Sequence, residues 1–458
     1  VYVRSGGVWT QQQKLTADDA AENDEFGRSV SVSGDTAVVG AWMDDDGGND
    51  SGSAYVYMRS GSVWTQQQKL TADDGAASDE FGRSVSVSGD TTVVGAWRDD
   101  EVGVRSGSAY VYVRSGGVWT QQQKLTASDA APGGLFGTSV SVSGDTLIVG
   151  ATGDEAGGYD SGSAYVYVRS DGVWTQEQKL TADDAAAYDR FGESVSVFGD
   201  TTVVGAYDDD DGGKDSGSAY VYVRNGGVWT QQQKLTANDA AMEDAFGLSV
   251  SVSGDTAVVG AIGDVAGGND SGSAYVYVRN GGVWTQGQNL IPWEAPSSDQ
   301  RFGLSVSVSG GTAIVGAPGE SNSGSAYVFT IDTTLPVISN IGIDRTNAQV
   351  GDTIIITFDV EEELLGDPTV TVNEIPATIQ GGKASFAYEW TVPEGTASGP
   401  LTIEVQATDL AGNTGTASTS PILTVSASPP IAGLPVAAWP VGLALFAVAT
   451  AALRRKRR

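Results

Sequence analysis

The chain of 458 residues contains no cysteine and no histidine. Without cysteine it has no disulfide, no thiol nucleophile and no zinc–thiolate site. Without histidine it lacks the commonest general base and the usual transition-metal ligand. Any chemistry therefore falls to carboxylates, Lys, Tyr or Ser. Positive charge is scarce as well. Lys and Arg number 25 against 57 Asp and Glu, for a formal net charge of -32. Such a field repels nucleic acid and anionic lipid, and it suits cations, basic partners or solubility in salt. The chain opens at Val1 inside the second half of a repeat, so it reads as a fragment or processed form, and a missing signal peptide is uninformative.

What is present is a repeat. Phe-Gly followed by Ser-Val-Ser-Val recurs at Phe26, Phe81, Phe136, Phe191, Phe246 and Phe302, almost always 55 residues apart. A period of this length, rich in turn residues and short alternating runs, predicts a blade-by-blade array. In residues 26–80 the first strand is Ser-Val-Ser-Val-Ser, followed by a Gly34-Asp35 turn. Thr36-Ala-Val-Val-Gly-Ala reads as a second strand buried on both faces. After a polar loop, Ser53-Ala-Tyr-Val-Tyr forms the third strand and Val63-Trp-Thr-Gln-Gln-Gln-Lys-Leu the fourth. Asp171-Gly172, Asn225-Gly226 and Asn280-Gly281 mark the hairpin between those two.

Four antiparallel strands repeated radially make a β-propeller, with six blades and part of a seventh. Trp9, Trp64, Trp119, Trp174, Trp229 and Trp284 share one place in the fourth strand and are expected to pack blade on blade. The last repeat lacks its fourth strand, and the N-terminus begins with an unmatched hairpin. Ring closure is therefore expected to pair the two ends of the array.

Successive loops of an antiparallel blade alternate between its two ends. The short turns, with about one Asp and one Arg per blade between them, share a nearly neutral face. The second-to-third loop and the link between blades share the other, which should be strongly negative. Two of those loops carry oxygen donors around a glycine in the manner of a calcium loop: Asp44, Asp46 and Asp50, and Asp209, Asp211 and Asp215. Other copies lose donors, with Ala156, Ala266 and Arg105 in their places. Calcium is the candidate cofactor, and a merely solvated acidic surface is the alternative.

Phe-Gly at the start of a repeat, Gly316-Ala317-Pro318 after the second strand and Gly-Ser-Ala-Tyr-Val-Tyr in the third resemble FG-GAP repeats. These build the integrin α-subunit propeller and many bacterial and archaeal surface proteins. The resemblance covers residues 1–330 and implies a surface-exposed, non-catalytic binding or adhesion propeller. The integrin-type calcium loop lies between the first and second strands, where this chain has only Ser-Gly-Asp-Thr, so the metal residues of that family do not carry over.

Residues 1–332 are thus assigned to the propeller. Over 333–425, alternation at Ile354, Ile356, Phe358 and Val360 and at Phe386, Tyr388 and Trp390 predicts a β-sandwich. There Ala407-Thr-Asp-Leu-Ala-Gly-Asn-Thr resembles the closing motif of bacterial Ig-like stalk domains. A linker, 426–433, precedes an apolar run from Leu434 to Leu453 and the basic tail Arg454-Arg-Lys-Arg-Arg. The final segment, 434–458, reads as a hydrophobic helix, either a retained membrane span with a cytoplasmic tail or a sorting signal that is cleaved.

The expected function is cell-surface binding or adhesion to an extracellular protein or glycan. The alternatives are a purely structural surface-layer component and a carboxylate-dependent, glycan-cleaving enzyme. For the enzyme, the varying residue after Phe-Gly (Arg28, Arg83, Thr138, Glu193, Leu248, Leu304) lines one mouth of the channel, with Glu193 the sole acid among them.

Overall fold

A computed structural model describes residues 1–426, apart from 266–270, 294–299, 321–322, 333, 382–384 and 410–412. The hydrophobic segment expected over 434–458 lies outside the described residues, and among those described no helix is long and apolar enough to cross a membrane. The chain divides into two units, Val1–Pro336 with Leu364–Gly366 and Thr408–Thr414, and the remainder from Val337 onward.

The first unit begins with a hairpin, β1 (Tyr2–Ser5) and β2 (Val8–Gln11). Blade 1 follows as β3 (Val30–Ser33), β4 (Thr36–Ala41), β5 (Ser53–Ser60) and β6 (Val63–Leu70). Blade 2 is β7 (Ser84–Ser88), β8 (Thr91–Ala96), β9 (Ser108–Ser115) and β10 (Val118–Leu125). Blade 3 is β11 (Phe136–Ser143), β12 (Thr146–Ala151), β13 (Ser163–Ser170) and β14 (Val173–Leu180). Blade 4 comprises β15 (Ser194–Phe198), β16 (Thr201–Ala206), β17 (Ser218–Asn225) and β18 (Val228–Leu235). Blade 5 comprises β19 (Phe246–Ser253), β20 (Thr256–Ala261), β21 (Ser273–Asn280) and β22 (Val283–Leu290). Blade 6 has three strands, β23 (Ser305–Ser309), β24 (Thr312–Ala317) and β25 (Ser325–Thr330).

Every blade is an antiparallel meander in sequence order. The third-to-fourth turn takes positive φ at both of its residues, +51° and +81° at Asp171 and Gly172, which matches the twist of the flanking strands. In the Asn-Gly-Gly copies the turn falls on Gly226 and Gly227, one residue later than the Asn-Gly pair suggests.

Blades stack face on face. The apolar face of blade 1 (Val38, Ala54, Val56, Leu70) meets Phe81, Val85 and Trp119 of blade 2 in one buried cluster, and the pattern recurs along the array. Polar side chains repeat just as faithfully across these seams. Ser31 Oγ accepts from Val87 N at 3.0 Å, so the serines of the inner strand tie it to the next one. In the fourth strand Gln68 clasps the backbone of Trp119, donating to its carbonyl at 2.7 Å and accepting from its N–H at 2.9 Å. Gln67 accepts from the Trp119 indole at 3.2 Å. Satisfying both buried backbone groups of the tryptophan lets it sit fully inside the seam.

Among the described residues the expected closure is not made. β2 pairs with β1, and β25 pairs with β24. The hairpin instead sits on blade 1 as the outer half of a preceding blade would. Gln13 clasps Trp64 at 2.7 and 2.9 Å, and Gln12 accepts from its indole at 3.0 Å. Val30 is 69% exposed where its equivalent Val85 is 8% exposed.

The second unit is all-β. Its strands alternate as the sequence predicts: Ile354, Ile356, Phe358 and Val360 are buried on Thr353–Val360, opposite Phe386, Tyr388 and Trp390 on Ser385–Thr391. Val370, Val372, Ile403 and Val405 form the buried side of a second sheet. In the Thr408–Thr414 segment of the first unit, Asp409 accepts from Asn413 N at 2.9 Å and from its side-chain amide at 2.8 Å, which makes it a turn-stabilising residue.

Candidate functional site

The acid-bearing segments share one end of the blades. The link before blade 2 runs alongside the second-to-third loop of blade 1: Ser78 N donates to Asn49 O at 2.8 Å, Glu80 N to Asp50 O at 3.1 Å and Phe81 N to Ser51 O at 3.0 Å. The two short turns meet at the opposite end, where Arg59 Nε donates to Asp35 Oδ1 at 2.6 Å. That face is balanced and the other is acidic.

The predicted calcium residues divide. Asp44 and Asp46 come together with Asp19 of the preceding link, their carboxylate oxygens within 4.8 Å of one another, and Asp209 and Asp211 do the same with Asp184. Asp50 and Asp215 stand apart. Each takes a positive φ, and its backbone N–H is capped by Asp45 or Asp210 at 2.8 Å. The point on which the three carboxylates converge is filled by an ammonium. Lys69 Nζ lies 2.8 Å from Asp19 and 2.9 Å from Asp44 and also pairs with Asp46, while Lys234 lies 2.8 Å from Asp184 and 3.0 Å from Asp209 and pairs with Asp211. Tyr55 supports the arrangement, donating to Asp44 Oδ2 at 2.8 Å with its ring 5.2 Å from Lys69 Nζ.

Calcium needs six to eight oxygens around a vacant centre. This donor set is short of that and already holds a cation, so it does not fit a resident calcium ion. The lysine was visible in the sequence as the recurring Gln-Lys-Leu that closes the fourth strand. What was not visible is that its stem reaches back to the loop.

Burial opposes ionisation of Asp44, but the Lys69 hydrogen bond, the Asp46 N–H and the Tyr55 hydroxyl together outweigh it and hold the carboxyl below the usual range. Lys69 is raised, with burial opposing and its hydrogen bonds to Asp19 and Asp46 prevailing. Removing the ammonium should leave three uncompensated carboxylates able to take up an added cation with water completing its shell. Terbium luminescence sensitised by Tyr55 is expected to be absent in the native chain and to appear, saturably and reversed by calcium, in Lys69→Met. A saturable signal of equal strength in the native chain would show that the lysine yields to the metal.

A second set of acids behaves oppositely. Asp79, Asp189 and Asp244 are each pushed up to about 6, chiefly by burial, against a hydrogen bond from a backbone N–H. Between about pH 4 and 6 the native chain therefore binds more protons than the unfolded one, and stability falls as pH rises through that window. Each tenfold change in proton affinity is worth about 1.4 kcal/mol. Asp44, Asp74 and Asp154 are lowered, so their contribution is present above about pH 4 and lost below it. The unfolding midpoint is expected to rise from pH 7 to a maximum near pH 4–5 and then drop. The triple Asn variant at 79, 189 and 244 should flatten the first limb; an unchanged slope would contradict this assignment.

The ends of the first two strands at the acidic side converge on the axis of the array. Arg28, Arg83 and Glu193, from blades 1, 2 and 4, lie near enough for their charges to bear on one another. Glu193 is raised there, with burial dominant and Arg83, Arg190 and Arg28 opposing it. The residue following Val-Gly-Ala joins this mouth: Trp42 in blade 1, Trp97 in blade 2 and Tyr207 in blade 4. Arg83 lies over both indoles, 5.4 Å from Trp42 and 5.0 Å from Trp97. Each indole N–H is anchored by the acid before its Phe-Gly: Trp42 donates to Glu25 at 2.9 Å and Trp97 to Glu80 at 2.6 Å. Sequence reasoning found the Phe-Gly-x residues but not the tryptophans, whose place beside them depends on the neighbouring blade.

No curated protein matches this sequence. Among solved structures, the chain is similar to the acylaminoacyl peptidase of Pyrococcus horikoshii at 9% identity and a TM-score of 0.38, covering 83% of this chain and 57% of that one. The chain thus spans little more than half the length of the peptidase. It is also similar to the β-propeller domain of the Trilobed protease from Pyrococcus furiosus, at 8% identity and a TM-score of 0.36, covering 79% of this chain and 96% of that domain. The family model for the FG-GAP repeat matches six times, at residues 9–57, 64–112, 119–167, 174–222, 229–277 and 284–329, together well over half the sequence. With its Phe-Gly and Gly-Ala glycines interlocked at every seam, the chain belongs to the FG-GAP repeat family.

Proposed function

We propose that this chain is an extracellular binding or adhesion propeller without catalytic activity, held at the cell surface by its C-terminal part. One observation carries the reading. Residues shared by the copies build and tie blades, while residues that differ fall in the acidic loops and links and at the axial mouth, where Arg28, Arg83, Glu193 and Leu248 hold one position. The repeated ionisable groups are engaged with one another, as in the Lys69 and Lys234 clusters and the Asp35–Arg59, Asp90–Arg114 and Asp145–Arg169 pairs. A surface built this way presents a ligand site without spending its scaffold on chemistry. Membership in the FG-GAP family supports the same reading. The alternating sheets of the second unit suit an Ig-like stalk, and the apolar run from Leu434 to Leu453 with its basic tail suits an anchor. Calcium has no part in the proposal, because the lysines hold its place.

The test is a glycan and protein array probed with the recombinant chain, in calcium and in chelator. Saturable binding, equal in both, is the expected result. Uniformly blank arrays would favour a structural surface-layer role.

A further inference from the structure

The copies are so alike that their departures at the mouth stand out. Blades 1, 2 and 4 place Arg28, Arg83, Trp42, Trp97, Glu193 and Tyr207 there, whereas blade 5 has Leu248 and Ile262 at the same positions. One side is thus cationic and aromatic, the other aliphatic.

Arg83 is half-buried between two indoles whose own N–H groups are already occupied by Glu25 and Glu80. Glu80 is in turn neutralised by Arg98, which lies over Trp97 at 4.8 Å. Among the described residues neither Arg83 nor the exposed Arg28 forms an ion pair or a side-chain hydrogen bond. That is unusual in a chain of net charge -32, where acids are in excess. The Arg83 guanidinium lies over both rings with no side-chain partner for its N–H groups among the described residues, and such a fork matches a carboxylate. Around this hub stands the acidic rim of the loops. A polyanion would be repelled by that rim, while one carboxylate carried on a neutral body would pass it. Aromatic and aliphatic walls with Glu193 and Asp208 at hand suit a ring bearing hydroxyls.

We propose that the axial mouth binds a sugar carrying a single carboxylate, a uronate or a glycan end of that kind. In this site Arg83 forks the carboxylate, Arg28 is the second donor, and the Trp42 and Trp97 edges bound the ring. The inference rests on the binding reading above and names the ligand of that same propeller.

The test uses the full chain, with tryptophan fluorescence and calorimetry at constant ionic strength, titrated separately with glucuronate, glucose and acetate. Glucuronate is expected to bind saturably, at least ~10-fold more tightly than either of the others, because a charge-assisted pair and a ring contact are both required. Arg83→Gln should weaken glucuronate by ~10-fold or more with the unfolding midpoint kept within a few degrees. Arg28→Gln, at an exposed position, should weaken it several-fold, which provides a second reading if the first variant is unstable. Equal affinity for glucose or for acetate, no saturation with any of the three, or native affinity in both variants would overturn the proposal. An array signal that persists unchanged in Arg83→Gln would remove this site and leave the binding propeller standing.

Discussion

Gly137→Ala is expected to unfold the propeller or to destabilise it by about 3 kcal/mol or more, from a left-handed backbone and an overpacked seam together. Gly137 follows Phe136 at the start of blade 3 with φ of +95°, and a Cβ there would lie 2.3 Å from Ser108 O and 3.2 Å from Ala96 N. Both neighbours belong to blade 2, and both are strand backbone that cannot swing aside. The seam is also where Gly107 and Phe136 pair as an isolated parallel bridge. Gly144→Ala is the control. Its φ is +59° with nothing within 4 Å, so only backbone conformation is at stake, about 1 kcal/mol. Denaturant unfolding of the two variants checks the difference. Similar losses would show that the Phe-Gly glycine is retained for its backbone freedom alone, and blade contact would lose its role in the motif.

Lys124→Met is expected to cost about 3–5 kcal/mol, the usual penalty for leaving a buried charge without its partner. Lys124 joins Asp74 at 2.6 Å and Asp99 at 2.9 Å, and Asp99 is only 3% exposed. Lys124→Met/Asp99→Asn should recover much of the loss, because the stranded carboxylate is gone. The comparison is Arg59→Met on the balanced face, where Asp35 is largely exposed and the pair is worth about 1 kcal/mol or less. Should the two lysine and arginine variants lose the same amount, or the double variant fall below the single, the clusters would be surface ion pairs and not locks.

Much of this was legible in the residues, because blade strands are local objects. Alternation at Ser-Val-Ser-Val, turn glycines and the Phe-Gly punctuation place every strand of the array, and the acidic loops fall on one end by simple alternation. The second unit shows the same clarity at Ile354, Ile356 and Phe358. What escaped the sequence depends on distances set between blades. The glutamines that follow each Trp look like a solvated strand edge, yet Gln68 serves the backbone of Trp119, 51 residues on. Lys69 looks like one more exposed stem, yet it closes a loop 25 residues earlier. Asp50 and Asp215 fit a calcium spacing, but spacing does not reveal that a positive φ turns each of them out of the cluster.

The central claim is that likeness among the blades builds the scaffold and difference among them builds the site. The measurement that bears on it most directly is array binding of the native chain against Arg28→Leu/Trp42→Ile/Arg83→Leu/Trp97→Ile, which writes the mouth residues of blade 5 into blades 1 and 2. Loss of binding with a cooperative unfolding transition retained is the predicted result. Undiminished binding by that folded variant would contradict the claim.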